Sequence, residues 1–125
     1  MWSLPAPARL GTKQLQVFVP SVDRHGQPIA QGQEFWVREC LTAMGHLFGG
    51  ATAFPPGLGV WRDDESKELV FDETVVVFAY VAEEEVNGES GEALFSFLAR
   101  LGRETNQGEV GVLFDGAYYG IQDFG

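Results

Sequence analysis

Seven residues, Val75-Val76-Val77-Phe78-Ala79-Tyr80-Val81, constrain the fold more than any other stretch. The run is apolar at odd and even positions alike. Successive side chains of a strand point to opposite faces, so this strand is greasy on both sides and belongs in the middle of a sheet. It extends back to Glu68, with Asp72-Glu73-Thr74 breaking the apolar pattern as a candidate bulge. Upstream, Ala51–Phe54 and Leu58–Arg62 read as short strand pieces around Pro55-Pro56-Gly57. Proline cannot donate to a ladder, so these pieces form an edge or bulged strand, joined to the long one through a loop at Asp63–Lys67.

The remaining elements follow from periodicity. Leu15, Val17 and Val19 alternate with Gln14 and Gln16 as a first strand, ended by Pro20. From about Gln31 to Phe48 the apolar residues Val37, Cys40, Leu41, Met44, Leu47 and Phe48 fall three and four apart, the stripe of an amphipathic helix. Gly49-Gly50 supplies the left-handed stop. Glu83–Glu85 opens an acidic loop, after which Ser90 is the expected cap of a second helix with stripe Leu94, Phe97, Leu98 and Leu101. The end, E-V-G-V-L-F-D-G-A-Y-Y-G-I, reads as a strand, an Asp115-Gly116 turn of the hairpin type and a short return strand.

The order β-α-β-β-α-β with an extra C-terminal hairpin strand predicts an α+β, ferredoxin-like antiparallel sheet with two helices on one face. Residues 14–125 form a single domain and residues 1–13 an N-terminal arm, with Trp2 and Leu4 as its anchors. Such a topology leaves the second sheet face without helices. Phe18, Val76, Phe78, Tyr80 and Leu113 are the apolar candidates for that face, and an oily surface of this extent marks a binding site. It is covered by a companion, by the chain's own arm and Tyr118–Phe124 segment, or by a ligand.

Charge is unevenly placed. The net value is −10. Residues 1–60 carry four Lys/Arg and three Asp/Glu, whereas residues 61–125 carry four Lys/Arg and fifteen Asp/Glu. Direct nucleic-acid binding is disfavoured, since no cationic cluster exists to displace counterions. One cysteine, Cys40, excludes an internal disulfide framework. No stretch approaches the roughly 20 apolar residues of a membrane helix, and no secretory leader is expected. A cytoplasmic protein without membrane attachment is the expectation.

The succession F-G-G-A-T, then Gly57/Gly59 to Trp61-Arg62, a polar turn, Glu73 before T-V-V-V-F, and Gln107-Gly-Glu-Val resembles a family of small bacterial proteins of unknown function. The resemblance covers about residues 14–115. It implies a ferredoxin-like sheet and no activity. Pro55-Pro56 and the Asp115-Gly116 hairpin lie outside the shared pattern.

No familiar catalytic motif is present, and no catalytic residue stands out. His25 and His46 have no metal-ligand spacing to each other or to Cys40, so neither a metal nor a cofactor is expected. Asp63-Asp64-Glu65 reads as a solvated loop rather than a cation site. The candidate ligand-binding set is Trp61, Arg62, Glu73 and Tyr80 on the paired strands with Gln107 beyond. In a pocket Glu73 is the candidate base, with Tyr80 or Gln107 as hydrogen-bond partners. These features favour a non-catalytic module that pairs with itself or docks on another protein. The alternatives are a small enzyme or small-molecule binder near Glu73, Tyr80 and Trp61, and an acidic regulator occupying a partner's basic site.

Overall fold

A computed structural model of the chain describes residues 2–125. The elements are β1 (Lys13–Val19), α1 (Gln33–Phe48), β2 (Thr52–Ala53), β3 (Gly57–Arg62), β4 (Leu69–Val81), α2 (Glu83–Val86), α3 (Glu89–Glu104), β5 (Val110–Phe114) and β6 (Ala117–Ile121). The strands form one antiparallel sheet in the order β2-β4-β1-β5-β6, with β3 also beside β4. This is the expected ferredoxin-like α+β arrangement with β6 added at one edge.

The long apolar strand is indeed internal. Along β1 it runs in register from Lys13↔Val81 to Val19↔Val75. Leu15, Val17, Val19, Val75, Val77 and Val81 form the helix-side face and are almost fully buried. Trp36, Cys40, Met44 and Phe48 of α1 and Leu94, Phe97, Leu98 and Leu101 of α3 pack on them. Trp36 is the largest of these and fully shut away. Its indole N–H donates to the Ala30 carbonyl at 2.7 Å, and the Arg100 guanidinium lies 5.0 Å from the ring centroid. The α1 stripe is therefore centred one residue away from Val37, on Trp36. Gly49 closes α1 at φ 90°, its N–H bonded to the Gly45 carbonyl. Asp115 and Gly116 take φ 50° and 83°, the primed-turn geometry expected between β5 and β6.

Local details differ from the sequence expectations. The bulge is on the edge strand, not at Asp72–Thr74: β2 and β3 pair with β4 in registers one residue apart, and the extra residue falls at Phe54–Pro56. Prolines lack the N–H that a regular ladder would use, so the slip sits there. Glu83–Val86 is a single helical turn rather than a loop, because the Glu85 carboxylate accepts from the Ala82 N–H at 2.8 Å. Ser90 lies inside α3, whose cap is Gly88. Trp2 and Leu4 are exposed and anchor nothing; the arm is held instead through Arg9, which donates to the Phe48 carbonyl at 3.2 Å. Among the described residues no helix is long and apolar enough to cross a membrane.

β4 is longer than the strands it pairs with on the core side. Its Leu69–Thr74 half pairs only with β3, and this ribbon carries Leu58, Val60, Leu69 and Phe71 exposed on its helix side. On its other side it walls a hollow.

Candidate functional site

Strand alternation puts Phe18, Val76, Phe78 and Leu113 on the helix-free face, half-buried, with Tyr80 more exposed. All five expected interface residues share this face. Self-cover by the chain is slight: β6 brings Tyr118 beside Phe18 (ring centroids 6.3 Å apart), while Phe124 turns to α3 and packs at Gly102. At the far end Phe54, Phe78 and Tyr80 stack edge to face, with centroids 6.1 and 4.9 Å apart.

At the near end the face dips into a hollow of about 450 Å³. Four segments bound it: the chain leaving β1, the β3–β4 ribbon, the turn entering β5, and Gln122 just after β6. Phe18 and Trp61 give it aromatic walls. Its volume lies within the range of small-molecule sites.

The carboxylates around it are held in different ways. Asp63 is buried and accepts from Arg24 at 2.8 Å and from the Ser66 N–H at 3.0 Å. The Ser66 N–H first, then Arg24, hold its carboxyl down at about 2. Asp72, 5% exposed, accepts from the Ser21 N–H at 2.8 Å and from the Ser21 hydroxyl at 2.6 Å. Glu109 accepts from the Tyr118 hydroxyl at 2.6 Å and from the Gln122 amide at 2.9 Å. Burial first and the Glu109 carboxylate second push the Tyr118 phenol well above its usual range, so it remains a donor. Asp72 and Glu109 are thus oriented by neutral donors, and among the described residues neither is ion-paired. Arg24 and Arg62 also line the hollow, Arg24 being engaged by Asp63 and Glu65, and carboxylates held outside any ion pair beside aromatic rings suit a cation.

Two glycines make room for this arrangement. A Cβ at Gly111 would stand 2.8 Å from the Tyr118 hydroxyl and 3.1 Å from the Phe18 ring. Gly120 leaves the space that the Glu109 carboxylate fills.

The ligand candidates from sequence divide. Trp61, Arg62 and Gln107 line the hollow; Gln107 is structural there, its amide donating to the Val22 and Thr105 carbonyls at 2.9 and 3.1 Å. Glu73 and Tyr80 do not belong. Glu73 pairs with Leu58 on the opposite side of the ribbon, and Arg62 pairs with Leu69, so register keeps Arg62 and Glu73 four pairs apart. Tyr80 stands at the far end of β4, where Gln14 donates to its hydroxyl at 3.5 Å. Asp72 and Glu109 escaped the sequence reading. The signal was available: both share the parity of the open-face residues, on strands otherwise apolar there. Cys40 is buried, its thiol pushed up to about 12 by desolvation, and takes no part.

The Asp63 arrangement carries a pH dependence. A carboxylate held below its ordinary value stabilises the fold above that value, and the contribution is lost as pH falls toward the lowered one. The Ser66 amide resonance is expected to shift as pH drops from about 4 to about 2, marking release of the ribbon tip. Asp63→Asn removes that titration; an unchanged Ser66 profile in this variant would assign the shift to another group.

No family model matches the chain, and no curated protein is similar to it. Two solved structures share its fold over 97% of both chains at 19% identity: a phage SAM lyase in complex with S-methyl-5'-thioadenosine, at a TM-score of 0.69, and a phage SAM lyase in the apo state, at 0.62. These neighbours overturn the expectation of a non-catalytic interaction module. They are enzymes, and one of them holds a small molecule on this fold. The open face, which suggested a companion protein, ends here in the hollow described above.

Proposed function

We propose that this chain is an enzyme of the SAM lyase kind, taking S-adenosylmethionine and releasing S-methyl-5'-thioadenosine. The observation that carries the reading is the pairing of Asp72 and Glu109, both oriented and free of counter-charge, in one aromatic-walled hollow. S-adenosylmethionine offers two positive centres, a sulfonium and an ammonium, on a molecule that also carries a flat base. Two carboxylates and two aromatic rings meet those demands. Asp23, Asp63, Asp64, Glu65, Asp72 and Glu109 border the hollow together with Arg24 and Arg62, so acid outnumbers base around it.

Lyase cleavage sends the electrons of the bond between sulfur and the amino-acid chain to sulfur, which becomes a neutral thioether. The chain's own carboxylate oxygen forms the new bond to the carbon that sulfur leaves, closing a lactone, so one C–S bond is exchanged for one C–O bond and no water is consumed. The protein's part is to orient the cation and limit solvent access. Phe18 and Trp61 present ring faces to the sulfonium, and Asp72 and Glu109 fix the two positive centres. Once the sulfur is neutral that attraction disappears, which favours release of the thioether.

The test is direct. Purified protein incubated with S-adenosylmethionine should form S-methyl-5'-thioadenosine, detected by liquid chromatography and mass spectrometry. Absence of product, together with no thermal shift from either compound, would overturn the reading.

A further inference from the structure

The strand that orients Glu109 is itself weakly held. β6 lies at the sheet edge beside β5, and four of its five residues are exposed. Its ladder ends at Val110↔Ile121, and Glu109 and Gln122 stand one step beyond that pair, linked through the Gln122 amide at 2.9 Å. Tyr118 reaches the same carboxylate by passing over Gly111, which stands opposite Gly120. Glu109 thus takes its direction from two side chains on a strand with little burial of its own, and a strand end of that kind frays readily. The residues after β6 counter the fraying. Ile121 and Phe124 turn in against the core. The Phe124 ring fills the place where a side chain at Gly102 of α3 would be: the three nearest atoms to a Cβ there all belong to it. Arg103, the next residue of α3, donates to the Phe124 carbonyl. Gly102 is buried within α3, where glycine is a poorer helix former than alanine, and the notch it leaves is what the ring occupies.

We infer that Phe124 is a positioning residue for the hollow: seated in the Gly102 notch, it holds the end of β6 so that Tyr118 and Gln122 aim the Glu109 carboxylate. Its consequence for turnover rests on the lyase reading, whereas the positioning holds for any cation the hollow receives. Hydrogen bonds between exposed side chains are weakly stabilising and do not by themselves offset the entropy of ordering two long side chains on a frayed backbone. With the ring seated, that backbone is already fixed, and the carboxylate meets a cation without rearrangement. The helix layer therefore sets the geometry of a group that opens on the other face of the sheet, although no residue of α3 borders the hollow.

Phe124→Ala empties the notch, and Gly102→Ala fills it while making α3 a better helix; both should release the strand end. Alkaline titration of tyrosinate absorbance reads the release directly, with Tyr118→Phe identifying the step that belongs to Tyr118. In both variants that step should move down toward the ordinary phenol range, because burial first and Glu109 second hold it up in wild type. Steady-state kinetics should show kcat/KM for S-adenosylmethionine lowered about tenfold, since the charge remains but is no longer aimed. S-methyl-5'-thioadenosine, which lacks the sulfonium, should bind both variants within a few-fold of wild type. Should Phe124→Ala fail to melt cooperatively, Gly102→Ala carries the test. An unmoved Tyr118 step in either folded variant would overturn the inference, and so would turnover at the wild-type level. Equal weakening of the two compounds would also overturn it, because Phe124 would then be shaping the hollow at large. If wild-type protein forms no product, the lyase reading fails, and the Tyr118 step alone decides whether Phe124 positions the strand.

Discussion

Replacing Trp36 by alanine is expected to cost about 3–5 kcal/mol of folding stability, the range for removing a fully buried large aromatic. Three losses combine at this position. The indole fills the space between α1, α3 and the sheet, in contact distance of Phe35 and Phe97 (ring centroids 5.1 and 6.5 Å). Its N–H is the donor to the Ala30 carbonyl, in the turn that leads into α1. Its face also carries the Arg100 guanidinium, which is shared with Glu39 and Glu104 at 3.1 and 2.9 Å. Urea denaturation of Trp36→Ala against Trp36→Phe checks this, since phenylalanine retains most of the packing and loses only the N–H. A loss below about 1 kcal/mol for the alanine variant would mean that the two helices close over the gap, which a core packed at crystal density does not readily do.

The second large effect concerns the charge partner. On the lyase proposal, Glu109→Gln is expected to lower kcat/KM for S-adenosylmethionine about 10²-fold, equivalent to about 2.7 kcal/mol of transition-state stabilisation. Glutamine keeps the shape: its one carbonyl oxygen accepts from the Gln122 amide, and its NH2, standing where the other oxygen met Tyr118, donates to that hydroxyl instead, so the negative charge is removed with the packing kept. The neutral S-methyl-5'-thioadenosine should bind the variant nearly as well as it binds wild type. Competition kinetics with the two compounds separate the cases. A variant that loses both equally would show that Glu109 shapes the hollow rather than pairing with charge.

How much of this could be read from the residues depends on whether local or long-range geometry decides. The apolar run at Val75–Val81 identified the central strand, because burial on both faces leaves no polar parity. Gly49 and Asp115-Gly116 announced their positive-φ stops, because few residues accept that conformation at low cost. The site was less legible. Glu73 was singled out for its place before the valine run, yet parity sends it to the wrong side of the ribbon. Asp72, one residue earlier, faces the hollow. Choosing between them requires knowing which face carries helices, a property of the sheet order rather than of any local pattern. Trp61 was found because an aromatic on an edge strand is informative wherever it points. Glu109 was passed over because its importance comes from Tyr118 and Gln122, which β6 brings beside it only after the final hairpin closes. Thr74 gives no sequence signal at all: threonine is ordinary in a strand, and only the folded sheet leaves its oxygen shut from solvent without a partner.

The thirteen residues of β4 belong to two neighbourhoods with very different anchorage. From Val75 onward the strand lies beneath both helices and cannot separate from β1 without unfolding the whole domain. From Leu69 to Thr74 it is tied to β3 and, through Asp72, to Ser21, with little apolar burial behind it. Local stability tracks such burial, so the outer half opens at far lower free energy than the inner half. The outer hairpin, held by Gln33 on the Glu73 carbonyl and by Arg24 on Asp63, is therefore the part of the sheet whose amides should exchange before those of Val75–Val81.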